Sequence, residues 1–160
     1  VRGLHHLALG AADVERVADF YREVFGLPEV MRHFEDSGRL RSIWLALAPG
    51  ASARRSSSAE RPDPSAPRAS PPLLMIERTE APRRAASNAE LGVGAGPFLL
   101  AFAVAPEELA AFEAAAEQRG AAVEARTAFS SYFRDPEGNR VALSHYPEAR
   151  TPESLTRVGR

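Results

Sequence analysis

The chain has no cysteine, one tryptophan and two methionines in 160 residues. Without cysteine there is neither a disulfide framework nor a thiolate nucleophile or ligand, which fits a reducing, cytoplasmic setting. Neither sign of charge is in excess. With 20 basic and 21 acidic residues the formal net charge is -1, so neither nucleic acid nor an anionic membrane is expected as a partner. No apolar run approaches the roughly 20 residues of a membrane span, and the first residues lack the charged-then-apolar layout of a signal peptide. A chain of this length buries about 70% of its unfolded surface. That suffices for one compact domain, or two small modules, with no disulfide or structural metal.

What is there is one pattern stated twice. Leu4-His5-His6-Leu7-Ala8-Leu9-Gly10 reads as a strand, followed by a helix from Asp13 to Phe25 that stops at Gly26. Asp13 suits the N-cap, Val14, Val17, Tyr21 and Val24 recur at helical spacing, and Gly26 with Pro28 closes the segment. Past the midpoint, Phe98-Leu99-Leu100-Ala101-Phe102-Ala103-Val104 is again a strand, and a helix opening at Pro106 ends at Gly120. Each helix precedes three strands. In the first half these are Glu29 to Phe34, Arg39 to Leu47 and Leu73 to Glu77. In the second they are Ala122 to Ala125, Phe129 to Arg134 and Asn139 to His145. Asp135-Pro136-Glu137-Gly138 has the chemistry of a tight turn between the last pair.

The expected organisation is an α+β fold of two βαβββ modules, forming a curved mixed sheet around a cleft. The first module spans 1–78, a linker 79–96, the second module 97–146 and a polar tail 147–160. Residues 49–72, rich in Ser, Pro, Ala and Arg, read as an insertion where the second module has its tight hairpin. That composition points to a mobile loop. A basic lid over an anionic substrate is the functional alternative.

The pattern resembles the vicinal oxygen chelate superfamily, which includes glyoxalase I, extradiol dioxygenases, fosfomycin-resistance enzymes and bleomycin-resistance proteins. Three stretches carry the resemblance: His6 through Asp13, Asp19-Phe20-Tyr21-Arg22-Glu23-Val24-Phe25-Gly26-Leu27, and Tyr132-Phe133-Arg134-Asp135-Pro136-Glu137-Gly138-Asn139-Arg140. Metal-dependent members of that superfamily offer a ligand from the first and last strand of each module. The resemblance places the first such ligand at His6, seven residues before Asp13, and the second at Glu77. It implies a divalent Zn, Ni, Mn or Fe ion at His6 and Glu77, with Glu77 also the catalytic proton shuttle.

The second module departs from that pattern. Its matching positions hold Leu99 and Ala142, which cannot ligate a metal. His33 could add a donor from the second strand, whereas alternation turns His145 away from the face of Ala142 and His5 away from that of His6. Trp44 and Tyr132 are candidates for the cleft wall together with Leu99 and Ala142, and Ser130 shares a face with Tyr132. Arg134 is expected to pair with Asp135 at the turn.

Two functions follow from the resemblance. One is a glyoxalase- or dioxygenase-like enzyme in which the ion binds adjacent oxygens of a small molecule. The other is a metal-free, bleomycin-resistance-like binding protein that sequesters a small molecule. An accessory module without turnover is a third. The resemblance further implies a homodimer.

Overall fold

Each half of the chain folds as a strand, a helix and three further strands. The computed structural model describes residues 4–47, 71–80 and 99–147. Most of the expected insertion, linker and tail therefore lies outside the described residues. The chain divides into two units, Val1–Pro82 and Arg83–Arg160.

The first unit holds β1 (His6–Ala11), α1 (Val14–Phe25), β2 (Glu29–Phe34), β3 (Leu40–Ala46) and β4 (Leu73–Arg78). Its strands lie in the order β1-β4-β3-β2, with β1 parallel to β4 and the other pairs antiparallel. The second unit holds β5 (Leu100–Ala103), α2 (Leu109–Gln118), β6 (Ala125–Arg126), β7 (Ser130–Arg134) and β8 (Arg140–Ser144). The order β5-β8-β7-β6 repeats the same topology and the same single parallel pair. Two four-stranded mixed sheets with one helix each make the fold α+β, as the repeat implies.

Alternation along the strands gives each sheet one face for its helix and one turned away from it. In the first unit Ile43, Leu45, Leu74 and Ile76 are fully buried together with Val14, Val17, Ala18 and Tyr21 of α1. Each such aliphatic side chain contributes on the order of 1.5–3 kcal/mol by leaving water. The ends of α1 follow the sequence closely. The Asp13 carboxylate accepts from the Arg16 N–H at 3.1 Å, and Gly26 takes the left-handed conformation at φ 65° that ends the helix.

The second unit differs from expectation in two places. Residues 106–108 form a turn before the regular helix begins at Leu109. The Glu108 N–H donates to the Ala105 carbonyl at 3.0 Å, and the Glu108 carboxylate accepts from the Ala105 N–H at 3.3 Å. This is the returning half of a capping box, built on a tighter first turn. The sixth strand is shifted toward its turn, at Ala125–Arg126. There the Thr127 hydroxyl accepts from the Ser130 N–H at 3.1 Å and the Thr127 N–H donates to the Ser130 carbonyl at 2.8 Å, closing a tight connection.

The Asp135–Gly138 turn forms, with Gly138 at φ 81°. Asp135 is buried and its carboxylate accepts from the backbone N–H groups of Glu137 and Asn139 at 3.0 and 2.8 Å, and from the Asn139 side chain at 2.9 Å. The expected Arg134–Asp135 pair is replaced. Arg134 pairs with Glu124 at 3.1 Å and donates to the Gly138 carbonyl at 2.9 Å, because Asp135 turns inward to hold the turn.

Candidate functional site on the helix-free sheet faces

On β1, Leu7, Leu9 and Ala11 are the less exposed set, which leaves His6, Ala8 and Gly10 on the face turned away from α1. Strand pairing extends that face in rows. Gly10, Glu77, Ser42 and His33 form one row; Ala8, Met75, Trp44 and Met31 form the next; His6, Leu73 and Ala46 form the third. His6, Glu77, His33 and Trp44 thus share a face.

They do not all share a neighbourhood. Gly10, not His6, opposes Glu77, so His6 and Glu77 stand four residues apart in register. That is about 13 Å along the strands. Each ligand of a shared ion must come within about 2 Å of it, so both side chains would have to stretch toward each other. Neither does. The Glu77 carboxylate is bound by Arg41 at 2.9 Å, and the His6 ring lies against Trp44 with centroids 5.2 Å apart. Among the described residues, no three His, Asp or Glu side chains converge into a group that could hold a metal ion.

Arg41 reaches Glu77 through a register shift. His33 opposes Ser42, but the next residue, Phe34, opposes Leu40, so Arg41 is an extra residue on β3. An extra residue locally breaks alternation and re-aims its side chain. Arg41 is thereby brought to the face of Ser42 and Glu77. The sequence contains no signal for this, since Leu40 to Ala46 reads as a regular strand.

Around Trp44 the face is aromatic. The His33 ring is 5.8 Å from it in an edge-on arrangement, and His5 adds a further ring 5.2 Å from His6. The indole N–H donates to the Ser42 hydroxyl at 3.1 Å, and Ser42 is buried. His5 does not turn away from His6 as alternation suggests. It precedes the first ladder residue, and its Nδ1 lies 2.9 Å from the Nδ1 of His6. One of the two nitrogens donates and the other accepts, leaving the Nε2 edge of His6 for a ligand or a proton.

In the second unit Ala101, Ala142, Tyr132 and Ala125 form one row. Tyr132 and Ser130 share this face, while Ser131 and Phe133 are buried on the other. Ala142 is only 1% exposed, so any contact with a ligand falls to its neighbours, and Leu99 is exposed. The Ser130 and Ser144 hydroxyls are 2.9 Å apart. Arg140 lies over the Tyr132 ring, a contact that alternation from Ala142 could have flagged. His145 is buried beside Phe129, with ring centroids 5.8 Å apart.

A family profile for the Glyoxalase/Bleomycin resistance protein/Dioxygenase superfamily matches residues 3–143. The chain belongs to that superfamily. Solved structures similar to it include the genomically encoded fosfomycin resistance protein FosX from Listeria monocytogenes, complexed with Mn(II) and a sulfate ion. The identity there is 17%, over 97% of this chain and 98% of that one, with a TM-score of 0.60. A glyoxalase/dioxygenase from Nostoc punctiforme is 20% identical over 89% of each chain, TM-score 0.58. Lactoylglutathione lyase from Agrobacterium tumefaciens is 20% identical over 90% of this chain and 93% of its own, TM-score 0.53. No curated protein sequence matches the chain significantly. At these identities the likeness is one of fold, and a superfamily fold hosts several chemistries.

Proposed function

We propose that this superfamily member is a small-molecule-binding protein that takes an apolar or aromatic ligand on the helix-free face of its first sheet, without a divalent ion shared by His6 and Glu77. One observation carries the reading: Trp44 lies between the rings of His6 and His33, at 5.2 and 5.8 Å, on a face where Glu77 is already bound by Arg41. A flat ring bordered by two imidazoles suits stacking and edge-on contact with a planar ligand. The charge that would attract a cation at Glu77 is met by a guanidinium. Leu99 and Ala142 add no donor in the second unit. The reading includes a homodimer and a cytoplasmic setting.

Trp44 is the single tryptophan, so its emission reports this site alone. A panel of neutral aromatic compounds should include members that quench it saturably, and His6→Ala and His33→Ala should weaken that quenching. Elemental analysis of tag-free protein, dialysed and then offered zinc, nickel, manganese and iron(II), should find no stoichiometric ion. Retention of one ion per chain, lost in both His6→Ala and Glu77→Gln, would overturn the metal-free reading.

A metal-dependent, glyoxalase- or dioxygenase-like enzyme is the second reading. What favours it is the row in which Glu77 and His33 flank Ser42, a pair whose register suits a common ligand better than His6 with Glu77. In that case Glu77 would hold the ion and shuttle the proton, and the ion would supply Lewis acidity to adjacent substrate oxygens. Under this reading, Glu77→Gln and His33→Ala both remove a retained ion, and His6→Ala does not.

A further inference from the structure

Arginines of the first unit use their terminal nitrogens differently. In Arg22, Arg32 and Arg39 both Nη1 and Nη2 are taken by carboxylates of the protein itself. Arg41 meets Glu77 through Nε alone, at 2.9 Å. Among the described residues no acceptor engages its Nη1 or Nη2, and the side chain is mostly exposed.

A guanidinium offers two forks, one of Nε with a terminal nitrogen and one of the two terminal nitrogens together. Glu77 uses one arm of the first. The end fork of Arg41 is left whole, and its two parallel N–H groups match the two oxygens of a carboxylate. The bond to Glu77 also holds the side chain in place, which lowers the ordering cost of taking a ligand.

That fork stands beside the ring of Trp44. Glu77, Ser42 and His33 lie in one row across β4, β3 and β2. The indole N–H donates to the Ser42 hydroxyl at 3.1 Å, which draws the ring from its own row toward this one. Neighbouring strands are about 5 Å apart, so the indole edge at Ser42 is one strand spacing from the Glu77 strand position. His33 flanks the indole from the β2 side.

We propose that the ligand of this face is an aromatic carboxylate, with its ring on Trp44 and its carboxylate on the Nη1–Nη2 fork of Arg41. The proposal rests on the reading of Trp44 as a platform for a flat ring, and adds the ligand's acidic group to it. Glu77 keeps the local charge near neutral, so recognition comes from the paired N–H···O geometry more than from net charge. Glu77 is then a positioning residue, fixing Arg41 from the neighbouring strand.

The test is calorimetric titration of the full chain with 2-naphthoate and with 2-naphthamide, which has nearly the same shape and no charge. The acid should bind about tenfold or more tighter than the amide. In Arg41→Gln the two affinities should fall within about twofold of each other. Arg41→Lys, which keeps the charge but not the fork, should restore only part of the preference. Trp44→Leu should weaken both compounds. Thermal unfolding of each variant separates loss of the site from loss of the fold. Equal affinity for acid and amide, or a preference that survives in Arg41→Gln, overturns the proposal while the platform for a neutral ring remains. Binding of neither compound overturns it too. Saturable quenching of Trp44 by the neutral panel is the separate readout of the platform, so the two failures are distinguishable.

Discussion

Arg41 binds Glu77 at 2.9 Å because β3 carries one residue more than β2 at that point. Position 41 would otherwise alternate onto the helix face. The extra residue turns its side chain to the row of Glu77, Ser42 and His33. Glu77 thus has a cation of the protein's own, at the position that the family resemblance gives to a metal ligand.

The energetic weight of that pair is small, since the Arg41 side chain is 62% exposed. Arg41→Gln should change stability by less than about 1 kcal/mol. Urea denaturation checks this, and a loss well above that value would make the pair a structural element instead.

Ser42 holds the orientation of Trp44. Ser42→Ala leaves the indole N–H without its hydroxyl acceptor, at an expected cost of about 1 kcal/mol. Tryptophan emission should shift as the ring loosens, and ligand quenching should weaken with it. Emission and quenching identical to the parent would separate Ser42 from the site.

Asp135 organises the last hairpin from a buried position, accepting from two backbone N–H groups and one side-chain amide. Asp135→Ala should cost roughly 2–3 kcal/mol, because the donors it leaves lie at a part-buried turn. Asp135→Asn should cost less, since its carbonyl oxygen can still accept. Equal losses in the two variants would place the effect outside these hydrogen bonds.

Glu29 makes stability depend on acid pH. The Arg32 hydrogen bond, opposed by partial burial and helped by Arg22, holds its carboxyl below the ordinary value. A pKa depressed in the folded state adds stability above the unfolded value of about 4.3, and that stability is lost as pH falls through the folded value. Glu29→Gln should therefore be less stable than the parent at pH 6, with the gap closing toward pH 3. Urea midpoints at the two pH values measure it, and a gap that stays constant would assign the loss to packing.

The repeat, both helices and the Asp135 turn were legible in the residues because their causes are local. Asp13 caps through its own side chain, Gly26 and Gly138 supply positive φ, and apolar spacing shows which helix face is buried. The facing of Tyr132 with Ser130, against Ser131 and Phe133, followed from simple alternation. The helix start at Leu109 and the sixth strand at Ala125–Arg126 were less legible, since side-chain bonds from Glu108 and Thr127 decided them.

The sequence by itself determined the α+β repeat, the elements and the residue types offered to a site. Only the tertiary structure decided which of those residues meet. Register between β1 and β4 sets His6 against Leu73 and Glu77 against Gly10, and an unpartnered residue on β3 brings Arg41 to Glu77. Strand register depends on hydrogen bonds between segments distant in the chain. A shift of two residues keeps every side chain on its face, so the apolar pattern reads the same for either pairing while the distance between two site residues changes by about 7 Å.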